Sequence, residues 1–212
     1  AILRVYNQYG RRDNLYKARI KILVKALGAE ELRARVEREW EVTRQRMPAL
    51  AAGQIERARS FFTAPPYRAC DDAAAESLLA GQRATNRAFD RWMSRNVSAH
   101  RVPGYAIVTL SLKPTGIAPG DATERQMELV ANLADSYSFG EIRVTHEQNL
   151  VLADVEKDKL FALWEAAREA GLATPNIGML TDIICCPGGD FCSLANAKSI
   201  PVAEAIQRRF DD

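Results

Sequence analysis

The order of hydrophobic patterns after residue 102 constrains the fold of this 212-residue chain most strongly. Segments typical of strands and amphipathic helices follow one another in the order strand, helix, strand, strand, helix, strand. That order is the split βαβ, or ferredoxin-like, arrangement, an antiparallel sheet with helices on one face. We therefore predict an α+β fold with a ferredoxin-like unit at about residues 102–185. Its elements are predicted at 105–112, 127–137, 141–145, 150–153, 157–170 and 179–185.

Turn and cap residues separate these segments. Asp121 followed by Glu124 predicts a helix start, and Gly171 predicts the end of the second helix. Ile142 and Val144 alternate with polar residues, which predicts a strand with one buried face. The polar segment 146–149 then predicts a corner between two strands.

The first 100 residues are less clearly patterned. Ile2–Tyr6 predicts a short strand, and Gly28 predicts a helix end between two helices. Residues 41–100 are rich in Ala, Arg and Gln and predict a helical connector with a loop at 63–72. We thus predict four parts, at 1–40, 41–100, 101–180 and 181–212.

Composition excludes several classes of protein. The chain has 29 Lys plus Arg against 27 Asp plus Glu, so its charge gives no reason to expect nucleic acid as a partner. Its apolar runs are far shorter than the roughly 20 residues of a membrane helix.

Clustered cysteines without a signal segment predict a reducing, cytoplasmic location. The absence of an initiator Met and of a distinct start leads us to expect a piece cut from a longer chain.

The segment Cys185–Cys192 is the sharpest chemical feature. Five residues separate Cys186 from Cys192. The Pro and two Gly among them let the backbone curl, so that both thiolates can face one soft metal centre. Two buried packing thiols are the alternative from spacing alone. Zinc is disfavoured, because no second cysteine pair follows and the only histidines are His100 and His146.

The stretch Thr181–Pro201 resembles the first cysteine pair of the sirohaem-dependent sulfite and nitrite reductases. In that family, four cysteines hold a [4Fe–4S] cluster, and one cysteine of a second pair bridges the cluster to the sirohaem iron. The resemblance implies that Cys186 and Cys192 are cluster ligands, whereas Cys185 is expected to serve packing. The second pair, Cys-x3-Cys, is absent from this sequence.

The polar corner 143–150 resembles the family segment that ends in Gln-Asn-Leu, where polar side chains face the sirohaem. The resemblance implies that Arg143, Thr145, Gln148 and Asn149 bind the cofactor. The alternative is that Gln148 and Asn149 satisfy a tight turn. His146 is not expected to be an axial ligand.

The segment 14–23 resembles the basic segment with which the family binds its oxyanion. The resemblance implies that Arg19 and Lys21 face the substrate. In an extended segment the two side chains would share one face, and in a helix they would diverge. A solvated charge run is the alternative. Arg19 keeps its proton, so Lys21 is the better candidate for proton delivery.

The resemblance implies a parent enzyme that reduces sulfite to sulfide, with reduction of nitrite to ammonia as the close alternative. Sirohaem and a [4Fe–4S] cluster are its expected cofactors, and ferredoxin or a flavoprotein its electron donor. The resemblance assigns a role to each of the four predicted parts. In chain order they are the end of one sirohaem-binding half, a connector, a ferredoxin-like domain and the start of a second sirohaem-binding half. We expect the isolated 212 residues to lack cofactors and activity and to self-associate. A non-catalytic ferredoxin-like module is the alternative from a different class.

Overall fold

The structure is a computed structural model that describes residues 1–47 and 50–211. It divides into two compact units, Ala1–Thr63 and Ala64–Asp212. The division into four parts stays a prediction.

The first unit is helical. Its helices are α1 (Ile2–Tyr9), α2 (Ile20–Leu27), α3 (Ala29–Arg44) and α4 (Ala52–Arg59). The predicted strand at Ile2–Tyr6 is wrong, because this segment forms the first turns of α1 and buries Val5. α1 packs against α3, where the Arg35 guanidinium lies 4.3 Å from the centre of the Tyr9 ring. This contact in the folded unit overrides the β preference of the isolated segment.

Gly28 ends α2 and precedes α3, as predicted. Its φ of +80° is a conformation that residues with a Cβ atom rarely adopt, and its N–H donates to the Val24 carbonyl at 2.8 Å. The chain thereby turns sharply between two helices that pack on each other.

The second unit begins with α5 (Asp72–Thr85) and α6 (Arg87–Asn96), so the helical prediction for 41–100 is confirmed over most of the described residues. Pro48 and Ala49 fall within that prediction and lie outside the described residues. Asp71 and Asn86 cap these helices, because their side chains accept from the backbone N–H groups of Ala74 and Phe89.

A four-stranded antiparallel sheet follows, formed by β1 (Val97–Ala99), β2 (Tyr105–Leu110), β3 (Arg143–Val144) and β4 (Leu150–Glu156) in the order β1-β2-β4-β3. The helices α7 (Glu124–Tyr137) and α8 (Leu160–Glu169) complete the unit, and α9 (Ile200–Arg209) follows the cysteine segment. The α+β prediction is confirmed.

The predicted strand at 179–185 is wrong. Val97–Ala99 occupies the place beside β2 that this strand would take, pairing Val97 with Val108 and Ala99 with Ala106. The segment instead folds into turns, in which Met179 N–H donates to the Asn176 carbonyl at 2.9 Å and Asp182 N–H to the Met179 carbonyl at 3.0 Å. Hydrogen bonds of turns and side chains thus replace the inter-strand hydrogen bonds that a strand would form.

Two local predictions are also corrected. α7 is capped by Thr123 rather than Asp121, and Thr123 forms a reciprocal pair of hydrogen bonds with Gln126. β3 is an edge strand in which Val144 is 80% exposed, so the predicted burial of Val144 is wrong, whereas Ile142 packs partly buried against the core. The second helix ends before Gly171, as predicted, where φ is +73°.

The core of the second unit lies between the sheet and its helices. Phe89 and Trp92 of α6 are fully buried, and the Phe89 ring centre lies 5.4 Å from that of Trp164 on α8. Such aromatic pairs add to the free energy that burial of their area provides. Across the described ranges, no helix is both long and apolar enough to span a membrane.

Candidate functional site

The cysteine segment is a loop built on a glycine turn. Residues Gly188–Asp190 form a single 3₁₀ turn, and Cys192 N–H donates to the Gly188 carbonyl at 2.8 Å. Gly188 has a φ of +61°, and a Cβ there would lie 2.8 Å from the Ala197 carbonyl oxygen and from Ser199 N. Gly188 therefore permits both the turn and its close packing on the following chain.

The three thiols of this segment lie in different environments. Cys186 is exposed and Cys192 partly exposed, whereas Cys185 is buried. Gly188 N–H donates to Cys186 Sγ at 3.4 Å, the kind of bond that supports a sulfur ligand. Burial, and then electrostatic repulsion from the neighbouring Cys186, raise the pKa of the Cys185 thiol. Cys186 and Cys192 are thus the accessible pair, as the proposed ligation requires.

Gln148 binds the backbone of the cysteine segment. Its Nε2 donates to the Cys185 carbonyl at 2.9 Å, and its Oε1 accepts from Cys185 N–H at 2.8 Å. Gln148 itself has a φ of +60°, which is rare for a residue with a side chain. The Gln148 side chain thus joins the polar corner to the cysteine segment, and cofactor binding by Gln148 stays a prediction.

Asn149 is buried beneath the corner. Its Oδ1 accepts from Leu112 N–H at 3.2 Å, and its Nδ2 donates to Asp182 Oδ1 at 2.9 Å. Thr145 closes the corner, since its Oγ1 accepts from Asn149 N–H at 3.1 Å. Asn149 and Thr145 thus hold the corner together through their own hydrogen bonds, and cofactor binding by either residue stays a prediction.

Two other corner residues point to solvent. Arg143 is exposed and forms an ion pair with Glu141, with Nε 2.6 Å from Oε1, and this carboxylate raises the pKa of Arg143. The His146 side chain is 90% exposed and pairs with Glu147. Cofactor binding by Arg143 stays a prediction.

The structure adds two buried residues that the sequence reasoning missed. Lys113 and Asp182 form an ion pair, Nζ to Oδ1 at 2.7 Å, beneath the corner. Lys113 stands at the end of a predicted strand, between Leu112 and Pro114. A lysine at such a place usually lies in an exposed loop, so the pattern alone does not single it out.

Arg19 and Lys21 belong to the other unit. Arg19 has extended dihedral angles, but it is the N-cap of α2, and Lys21 lies exposed in the first helical turn. The extended segment that would align the two side chains is therefore not present. Of the two conformations considered for this segment, Lys21 adopts the helical one, and substrate binding by the pair stays a prediction.

The cysteine loop suits an iron–sulfur centre in part. Its two accessible thiols are soft donors, and a backbone N–H supports one of them. Within residues 1–47 and 50–211, no group of three or more His, Cys, Asp or Glu converges to hold a metal. The loop therefore offers two thiols to a four-ligand site that the described residues do not complete, and ligation by Cys186 and Cys192 stays a prediction.

Comparison with known proteins finds two family matches within this chain. Residues 103–170 match the nitrite/sulfite reductase ferredoxin-like half domain, and residues 1–44 match the nitrite and sulphite reductase 4Fe-4S domain. The cysteine segment lies outside both matched ranges. The first match covers β2, β3 and β4 together with α7 and α8, the elements around the polar corner.

Similar proteins have related names. A chloroplastic ferredoxin–nitrite reductase of Arabidopsis thaliana is 29% identical over 98% of this chain, and one of Zea mays is 29% identical over 99%. Sulfite reductase [ferredoxin] 2 of Mycolicibacterium paratuberculosis is 25% identical over the whole chain. The chain spans 30% to 32% of the length of these relatives. With both domain matches, these similarities show that the chain belongs to the nitrite and sulfite reductase family.

Proposed function

We propose that the natural protein containing this chain reduces a small oxyanion, sulfite or nitrite, with a sirohaem and a [4Fe–4S] cluster. The accessible thiols of Cys186 and Cys192 on one glycine turn are the observation that carries the proposal. When bound, the coupled cofactors would supply the electrons for the multi-electron reduction.

The chain's own residues then have defined tasks. Cys186 and Cys192 hold two sites of the cluster as thiolates, and the Gly188 N–H stabilises the charge on Cys186 Sγ. Gln148 fixes the backbone from which these cysteines project. Arg19 and Lys21 are proposed to bind the oxyanion, with Lys21 as the proton donor.

The sequence reasoning favours sulfite as the substrate. Nitrite is a second candidate, because several similar proteins, from plants and from Haloferax mediterranei, are named as nitrite reductases. Both substrates are small oxyanions that a cationic site would attract. Ferredoxin is the favoured electron donor, since these relatives are named for it. A flavoprotein is the other candidate.

Steady-state assays of the natural protein with each oxyanion test the function. We expect sulfide from sulfite, with a larger kcat/KM than for formation of ammonia from nitrite. The reverse order of kcat/KM would favour the second candidate, and no reduction of either would refute the proposal. The isolated 212 residues are expected to be inactive and free of cofactor, and the natural protein is proposed to be cytoplasmic.

A further inference from the structure

Lys113 is a lysine whose side chain is entirely buried. Its relative exposure is 0%, and that of its partner Asp182 is 7%. Nζ donates to Asp182 Oδ1 at 2.7 Å and to the Asp182 carbonyl at 3.2 Å. It also donates to the carbonyl of Glu147. All three ammonium donors thus have protein acceptors.

These bonds join two segments that the proposed function uses. Glu147 immediately precedes Gln148, whose side chain binds Cys185 through two hydrogen bonds. Asp182 precedes Cys185 by three residues and also accepts from Gly178 N–H at 3.0 Å. One buried amine therefore touches both the polar corner and the chain that leads into the cysteines.

The neighbouring side chains strengthen this junction. Asn176 Nδ2 donates to the Lys113 carbonyl at 3.0 Å and to the Thr181 carbonyl at 3.3 Å. Its Oδ1 accepts from Ser111 Oγ at 2.7 Å. Because this segment lacks the ladder of a strand, such bonds are what fix its path.

We propose that Lys113 is a positioning residue that sets the spacing between the corner 145–149 and the cysteine segment. This role rests on the proposed function only in treating Cys186 and Cys192 as ligands. Lys113 acts through Asp182 and through Glu147 and Gln148, and it touches neither thiol. A buried ion pair contributes little net stability over an apolar pair, but it does fix geometry when each donor is satisfied.

The test measures how readily the thiols of the 212-residue chain react with iodoacetamide under native conditions, by mass spectrometry of each cysteine. We expect Lys113→Met to increase the alkylation rate of buried Cys185 at least fivefold. Cys70 lies in the same unit beside Gly104, far along the chain from the junction, and serves as the internal reference. The alkylation rate of Cys70 should stay within twofold of its wild-type rate, whereas general unfolding would raise the rates of both Cys185 and Cys70.

Two further variants separate positioning from mere stability. Lys113→Met combined with Asp182→Asn leaves no unpaired buried charge, so it should regain stability against urea yet keep Cys185 reactive. Arg83→Met is the control, because Arg83 of the same unit also forms an ion pair, with Nε 2.6 Å from Asp90 Oδ1, and this pair takes no part in the junction around Lys113. It should leave the ratio of the Cys185 to the Cys70 alkylation rate unchanged.

The proposal would be overturned if the ratio of the Cys185 to the Cys70 alkylation rate were unchanged in Lys113→Met and in its combination with Asp182→Asn. A stable double variant with the wild-type reactivity of Cys185 would overturn it as well. Because no cofactor takes part, this outcome is independent of the enzyme assays. Loss of reductase activity without altered thiol reactivity would bear on the proposed function alone.

Discussion

Replacing Gln148 tests the link between the polar corner and the cysteine segment. Gln148→Ala removes the two hydrogen bonds to the Cys185 backbone, of 2.9 and 2.8 Å, and leaves both backbone groups without their partner. At about 0.5–1.5 kcal/mol for each bond, the free energy of unfolding should fall by about 1–3 kcal/mol. The thiol of Cys185 should also become more reactive towards iodoacetamide.

Gln148→Gly is the matched variant. It loses the same hydrogen bonds, but it relieves the positive φ of +60° that Gln and Ala must both tolerate, which costs on the order of 1 kcal/mol. We therefore expect the glycine variant to be more stable than the alanine variant by about 1 kcal/mol. In most other settings glycine is the less stable of the two.

Urea unfolding followed by tryptophan fluorescence measures these differences. Trp92 and Trp164 are buried in the second unit, whereas Trp40 of the first unit is 44% exposed, so the signal reports chiefly on the unit that contains Gln148. Equal stability of the Ala and Gly variants would refute the argument from backbone strain. Wild-type stability in both would refute the role of the hydrogen bonds.

Two other changes have defined outcomes. Tyr67 Oη donates a hydrogen bond to Asp154 Oδ1 at 2.6 Å, and this bond, followed by burial, raises the pKa of Tyr67. The stabilisation that the protonated Tyr67 gives to the fold is therefore fully present below the unfolded pKa of about 10, and it is lost as pH rises through the folded pKa. Tyr67→Phe should therefore lower the free energy of unfolding by about 1.5–3 kcal/mol at pH 7. The difference in this free energy between wild type and variant should narrow above about pH 10, and a constant difference would contradict the argument. Gly188→Ala should destabilise the cysteine loop, because its Cβ would lie 2.8 Å from the Ala197 carbonyl oxygen. Faster alkylation of Cys186 and Cys192 should report that change, and wild-type rates would count against it.

The sequence was informative where periodicity matched burial. The amphipathic pattern of 157–170 and the stop at Gly171 correspond to α8, and the β-rich run from Tyr105 corresponds to β2. In these segments local preference and packing favour the same structure. The secondary structure of these segments therefore follows from their own residues.

The errors lie where distant partners decide the structure. Ile2–Tyr6 is helical because α3 offers a surface for it, and 179–185 is not a strand because Val97–Ala99 already pairs with β2. Neither partner can be identified from the segment itself. Short apolar runs leave helix and strand unresolved for the same reason.

The candidate site divides in a similar way. Spacing and residue type singled out Cys186 and Cys192 as candidate ligands, and the structure adds that their thiols are exposed and partly exposed. The tasks of Gln148 and Asn149 follow from partners more than 30 positions away in the chain, at Cys185 and Asp182. The Lys113–Asp182 pair, separated by 69 positions, is visible only once the chain is folded.

The iron and acid-labile sulfide content of the natural protein tests the central claim, that Cys186 and Cys192 ligate an iron–sulfur cluster. The measurement compares Cys186→Ala and Cys192→Ala with Cys185→Ala, which removes a buried neighbour of the same chemical type. We predict that the first two variants lose most of their iron and sulfide together, while the third retains both. Full iron and sulfide in Cys186→Ala or Cys192→Ala would contradict the assignment, as would their loss only in Cys185→Ala.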